Sequence, residues 1–146
     1  MNNKSVFVSL EEMEQVIIEC LESSGTFLFY PKGVSMLPML RQGIDSVTLS
    51  KLPQKLKKYD IILYKRKDGQ FVLHRLVKQG ETFGFLGDNQ YEIEYGIKKV
   101  DMIGIASSFT RGNRKYTSNN LIYKIYCRLW FNSRYVRKFI RKIIKK

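Results

Sequence analysis

An α+β fold dominated by strands is predicted by three features of this 146-residue sequence. The stretch from 26 to 109 is broken into short runs rich in β-branched and aromatic residues, with turn signals between them. A single helical pattern precedes these runs. A basic amphipathic pattern follows them. The expected architecture is mainly β: a small coiled sheet or partly open barrel, flanked by an N-terminal helix and a C-terminal basic amphipathic helix.

The helix is expected over 9–23, "SLEEMEQVIIECLES". Ser9 with Glu12 three residues later forms a capping box. Leu10, Met13, Val16, Ile17 and Cys20 or Leu21 make one apolar stripe. Ser24-Gly25 ends it. Strands follow at 26–30, 45–50, 59–65, 70–78 and 82–86, and a last one within 98–109. Asp68-Gly69 is a strong hairpin turn between two of them. The segment 111–120, "RGNRKYTSNN", reads as a polar linker. Residues 121–146 read as one long helix, bent at Asn132-Ser133, with Ile122, Ile125, Leu129, Val136, Ile140 and Ile143 on its apolar face. The chain thus divides into a body, 1–110, and a basic C-terminal segment, 111–146.

Composition bounds the function. The chain is 44% hydrophobic and 13% aromatic, which suits one packed domain. Cys20 and Cys127 lie far apart, without metal-ligand spacing, and suggest a reducing compartment with no metal or cofactor. The N-terminus lacks a signal-peptide pattern, and no run of 18 uncharged apolar residues predicts a spanning helix. Charge is distributed unevenly. From Arg111 onward there are 12 Lys+Arg and no acid, whereas the other 110 residues carry 14 bases against 13 acids.

Two residues stand out chemically. Ser35 sits in "GVSMLPML", between a glycine that permits unusual backbone angles and a proline that fixes φ. His74, the only histidine, sits in a strand where Val72, His74 and Leu76 share a face. Apolar neighbours favour a neutral imidazole, the state a general base needs. A serine becomes a nucleophile when such a base is within hydrogen-bond reach, so the pair is expected at about 2.6–3.2 Å, or looser without ligand. A carboxylate orienting the imidazole could come from Asp88 or Glu94. The bland alternatives are a serine in a turn, a core histidine and a turn aspartate.

Five segments in order strengthen the chemical reading: Gly33-Val-Ser-Met-Leu-Pro-Met-Leu, Asp60-Ile-Ile-Leu-Tyr, Val72-Leu-His-Arg-Leu-Val, Gly87-Asp-Asn and Val100-Asp-Met-Ile-Gly. Over about residues 26–107 the chain resembles the superfamily of signal peptidase I and LexA-like peptidases. The resemblance implies a serine endopeptidase with Ser35 as nucleophile and His74 as base, in the manner of the histidine-type members. It implies a peptidase domain at 1–110. Gly33, Met36 and Pro38 would wall the oxyanion and substrate site. The acid six residues beyond the Asp of Gly-Asp-Asn is Glu94, where the family has aspartate, so Asp88 stays open for the third role. Where many bacterial members have an oxyanion-binding serine this chain has Gly33, which leaves that task to backbone N–H groups such as that of Ser35. Signal peptidases carry a membrane anchor that is not expected here. Only 25 residues precede the core, so a repressor's DNA-binding domain is not expected either.

The expected partner is an extended segment of a peptide or protein, added as a strand beside Ser35. The alternatives are a catalytically silent peptide-binding or adaptor module and a nucleic-acid-binding accessory protein. The C-terminal segment has more apolar surface than a nucleic-acid arm needs. Two uses remain for it: packing its apolar face on the body, or lying on an anionic membrane surface, which Trp130, Arg134, Lys138 and Arg141, with Tyr123, Tyr126 and Tyr135, suit. The implied location is cytoplasmic, peripheral on the inner face of a bacterial membrane.

Overall fold

The computed structural model describes residues 10–144 and is α+β. Helix α1 (Leu10–Ser23) leads into eight strands: β1 (Thr26–Phe29), β2 (Val47–Ser50), β3 (Ile61–Lys65), β4 (Phe71–Lys78), β5 (Phe83–Leu86), β6 (Glu94–Ile97), β7 (Met102–Arg111) and β8 (Arg114–Thr117). Helices α2 (Leu121–Asn132) and α3 (Arg134–Ile144) close the chain. All strand pairs are antiparallel, in the order β1-β2-β7-β3-β4-β5-β6, with β8 added to the far end of β7. The sheet coils but does not close. Among the described residues no helix is long and apolar enough to cross a membrane.

The alternation of β3 explains the coil. Ile61 and Leu63 enter one core with Ile17, Leu21, Met36, Leu40 and Leu73. Ile62 and Tyr64 enter a second core with Val72, Leu76, Phe85 and Met102. A strand buried on both faces cannot lie on a flat, one-sided sheet, so its neighbours wrap to cover both sides. In α1 Ile17 and Leu21 of the expected stripe are buried, whereas Met13 and Val16 stay exposed. The Ser9 end of the capping box lies outside the described residues. Past Ser23, the Ser24 N–H bonds the Cys20 carbonyl and Gly25 takes φ +78°, which ends the helix as expected.

Two strands were missed in the sequence, β6 and β8. The expected linker 111–120 contains β8, turned back on β7 at Gly112. The expected boundary after residue 110 therefore falls inside β7. The C-terminal segment also joins the core, since Tyr123, Cys127 and Phe131, one turn apart on α2, are buried against it. The expected bend is a break. Ser133 separates two helices, its N–H bonded to the Leu129 carbonyl at 3.1 Å.

One feature of the β3–β4 pairing positions the site. The Arg66 N–H bonds the Gln70 carbonyl and the Leu76 N–H bonds the Asp60 carbonyl, each at 2.8 Å. Bonded and non-bonded pairs alternate between antiparallel strands. Val72 and His74 therefore turn their backbone groups toward β3, while Phe71 and Leu73 turn theirs away. Strand β5 pairs with β4 only from Arg75 onward. Beside Phe71 and Leu73 the edge of β4 is open.

Candidate active site

Gly33 takes φ +89°, a conformation costly for any residue with a Cβ, and its N–H bonds Gln42 Oε1 at 2.8 Å. The chain then turns through Ser35, with Met36 and Leu40 dropping into the core. The Leu37–Pro38 peptide bond is cis. At the loop's exit Asp45 is fully buried; it accepts from the Arg41 N–H at 2.9 Å and pairs with the Arg41 guanidinium at 2.8 Å. Arg41 holds this carboxylate well below its ordinary range, with help from Gly112 and Arg111.

The Gly87-Asp88-Asn89 turn meets this loop. The Asn89 N–H bonds the Ser35 carbonyl at 2.8 Å, and Asn89 Nδ2 bonds the Val34 carbonyl at 3.2 Å. Gly87 is required by close approach. A Cβ there would lie 2.6 Å from the Ser35 carbonyl oxygen and 3.1 Å from His74 Nε2. Ser35, Gly87 and His74 therefore converge on one spot. Ser35 and His74 line a single cleft of about 220 Å³, with Gly33, Met36, Phe71 and Leu73 among its walls. Pro38 does not line it; Pro38 sits across the loop beside Met39 and Tyr126.

No hydrogen bond joins Ser35 Oγ to His74 among the described residues, and His74 Nε2 makes none. Catalytic pairs without substrate are often loose. The other imidazole nitrogen is committed. Tyr64 Oη lies 3.2 Å from His74 Nδ1 and donates to Glu94 Oε2 at 2.7 Å. Tyr64 has one proton and gives it to the carboxylate, so it must accept from Nδ1–H. That assigns the tautomer: Nδ1 protonated, Nε2 carrying a lone pair toward the cleft. Arg66 grips Glu94 through both oxygens, at 2.6 and 2.7 Å. This lowers the Glu94 pKa against the opposing effect of burial.

His74 is 2% exposed. Burial pushes its pKa down to about 4, and Glu94 only partly opposes this. At neutral pH the 3.9 Å approach of Glu94 to Nδ1 is therefore not an ion pair but a contact relayed by Tyr64. Since the folded value lies below the ordinary 6.5, neutral His74 favours folding above about pH 6.5, and that contribution is lost as pH falls through about 4.

Asp88, the other acid considered for the third role, faces elsewhere. Its carboxylate takes the Arg75 guanidinium in a fork at 2.9 and 2.9 Å, and Tyr126 Oη donates to it at 2.9 Å. Trp130 Nε1 bonds the Asp88 carbonyl at 2.7 Å. Trp130 and Tyr126 are thus turned toward the body, not toward a membrane. Glu94 reaches His74 through Tyr64, a residue the sequence did not single out.

Removing that relay has a defined expected outcome. Tyr64→Phe leaves Nδ1–H buried without an acceptor, at a cost of ~1–3 kcal/mol. Any activity that depends on His74 as a base is expected to fall roughly 10- to 100-fold in turnover, since about 1.4 kcal/mol is one decade. Substrate KM is expected to hold. A fall in affinity with turnover unchanged would place Tyr64 in binding instead.

No family model, no curated protein and no solved structure matches this chain.

Proposed function

We propose that this chain is a serine endopeptidase of the signal peptidase I and LexA-like superfamily. The observation that carries the reading is a neutral His74, held at Nδ1 by Tyr64 and Glu94, whose free Nε2 opens into the cleft that Ser35 shares. The order of the sequence motifs supports it independently.

In this reading Ser35 Oγ attacks the scissile carbonyl carbon and its proton passes to His74 Nε2. The imidazolium is stabilised by Tyr64, which passes on the charge of Glu94. The tetrahedral oxyanion is bound by backbone N–H groups, of which the Ser35 N–H has no partner among the described residues. His74 then returns the proton to the leaving amine as the C–N bond breaks. Water, deprotonated by the same nitrogen, releases the acyl group from Ser35. No metal or cofactor takes part. The substrate is an extended segment of a peptide or protein, paired along the open edge of β4 at Phe71 and Leu73. Both cysteines are free, which fits a reducing compartment, and the proposed place of action is the inner face of a membrane.

The uncommitted Ser35 Oγ also favours a second reading, a silent module that binds peptides in the same cleft. A fluorophosphonate probe separates the two. Covalent modification at Ser35, located by peptide mass spectrometry and abolished by Ser35→Ala, is expected of the peptidase. Absence of any adduct, with peptide binding retained, would leave the silent module.

A further inference from the structure

Helices α2 and α3 present apolar side chains outward. On α2 the face opposite Tyr123, Cys127 and Phe131 carries Ile122, Ile125 and Leu129, all exposed. On α3 nothing is buried. Its basic side meets the body instead. The Arg137 guanidinium lies 3.8 Å above the Trp130 ring, and Arg137 Nη2 bonds the Trp130 carbonyl at 2.9 Å. Arg141 lies 6.0 Å from the Tyr91 ring centre, and Lys138 reaches Glu92 at 3.8 Å. With that side held inward, Val136 (60% exposed), Phe139 (65%), Ile140 (48%) and Ile143 (58%) project into solvent. A helix on a water-facing body ordinarily does the reverse.

We propose that the outer faces of α2 and α3 form a docking surface for an anionic lipid bilayer. Charge complementarity selects this occupant. The exposed apolar stripe is flanked by Lys124, Arg128 and Lys142, within a segment of 12 bases and no acids. A second copy of the chain would set like charges against each other across a two-fold contact. Nucleic acid offers nothing to cover seven exposed aliphatic and aromatic side chains. A bilayer surface supplies both parts: headgroup phosphates for the bases and an acyl boundary for the stripe, with the helices lying in the interface plane. A groove runs from Arg66 and Gln90 at the cleft, past Tyr91 and Glu92, to Lys138 on α3. The groove thus reaches the body-facing side of α3, behind the lipid-facing stripe, and the docking proposal stands whatever chemistry the cleft performs.

The test is sedimentation of the full chain with vesicles of phosphatidylcholine alone and of phosphatidylcholine mixed with phosphatidylglycerol. Binding to the anionic vesicles is expected to be tighter by at least about tenfold. Part of it should survive 1 M salt, where the Debye length is only ~3 Å and charge alone no longer holds the chain. The double variant Phe139→Ser/Ile143→Ser changes exposed side chains only, so its melting temperature should match the wild type while its vesicle binding drops by at least about tenfold. Ser35→Ala should bind vesicles like the wild type, which keeps this proposal separate from the peptidase reading. Equal partitioning into both lipids overturns it. So does undiminished binding by the double variant, or a stable dimer that ignores vesicles and that the double variant dissociates.

Discussion

Replacing His74 by Gln is expected to lower fluorophosphonate labelling of Ser35, and any peptide cleavage, by ~10³-fold or more, with the fold intact. A serine hydroxyl is a weak nucleophile without its base, and loss of one triad member removes most of the rate. Glutamine preserves bulk and a hydrogen bond to Tyr64 but cannot accept the proton. His74→Lys is expected to fail as well, although some relatives in the resembled superfamily use lysine. The site is built for a flat ring that accepts at one end and donates to Tyr64 at the other, and a buried ammonium must first be desolvated. Labelling of His74→Gln at the wild-type rate would show that the probe reaches Ser35 without base assistance.

The second large effect is on stability. Asp88→Ala is expected to destabilise the fold by roughly 3–5 kcal/mol. At this chain length that is a fall in melting temperature on the order of 10 °C. Arg75 and Asp88 are both fully buried. Burial works against the Arg75 charge, and the facing Asp88 carboxylate, together with Tyr123 and Cys127, more than offsets it. Without Asp88 the guanidinium keeps only the Tyr59 carbonyl, Tyr123 Oη and Cys127 Sγ. The same substitution loosens the turn whose neighbours Gly87 and Asn89 hold the Ser35 loop, so labelling should fall too. The double variant Arg75→Met/Asp88→Leu removes both charges and is expected to regain much of the stability, because an apolar pair needs no counter-charge. Thermal unfolding of the three proteins checks this. A loss below ~1 kcal/mol for Asp88→Ala would reduce Asp88 to an ordinary turn residue.

Much of the fold was legible because its signals are local. The β-rich runs of β3 and β4, the alternation in β4, the Ser24-Gly25 helix stop and an irregularity near Ser133 need no long-range knowledge. The strands β6 and β8 were not, since "EYGI" and "RKYT" carry weak patterns and gain their structure from pairing with β5 and β7. The relay through Tyr64 was hidden by register. Reading Asp68-Gly69 as a two-residue turn pairs Tyr64 with Leu73 and puts it on the face opposite His74. The real loop has three residues, Lys67 to Gly69, with Gly69 at φ +87°, and it pairs Tyr64 with Val72. That one-residue difference brings Tyr64 to His74 and lets Glu94 act at a distance. On α2 the aromatic residues read as interface anchors, whereas Tyr123, Tyr126 and Trp130 are turned to the Arg75–Asp88 pair.

Because His74 is the only histidine, one spectrum reports its state without assignment. Nitrogen-15 NMR of histidine-labelled protein across pH 3–8 follows both ring nitrogens directly. A neutral ring protonated at Nδ1 is expected, with Nε2 unprotonated through neutral pH, titrating near pH 4 as burial dictates. Tyr64→Phe is expected to disturb the Nδ1 signal and Ser35→Ala the Nε2 signal. A ring protonated at Nε2, or titrating near the ordinary ~6.5, would contradict the claim that His74 is held as the base for Ser35.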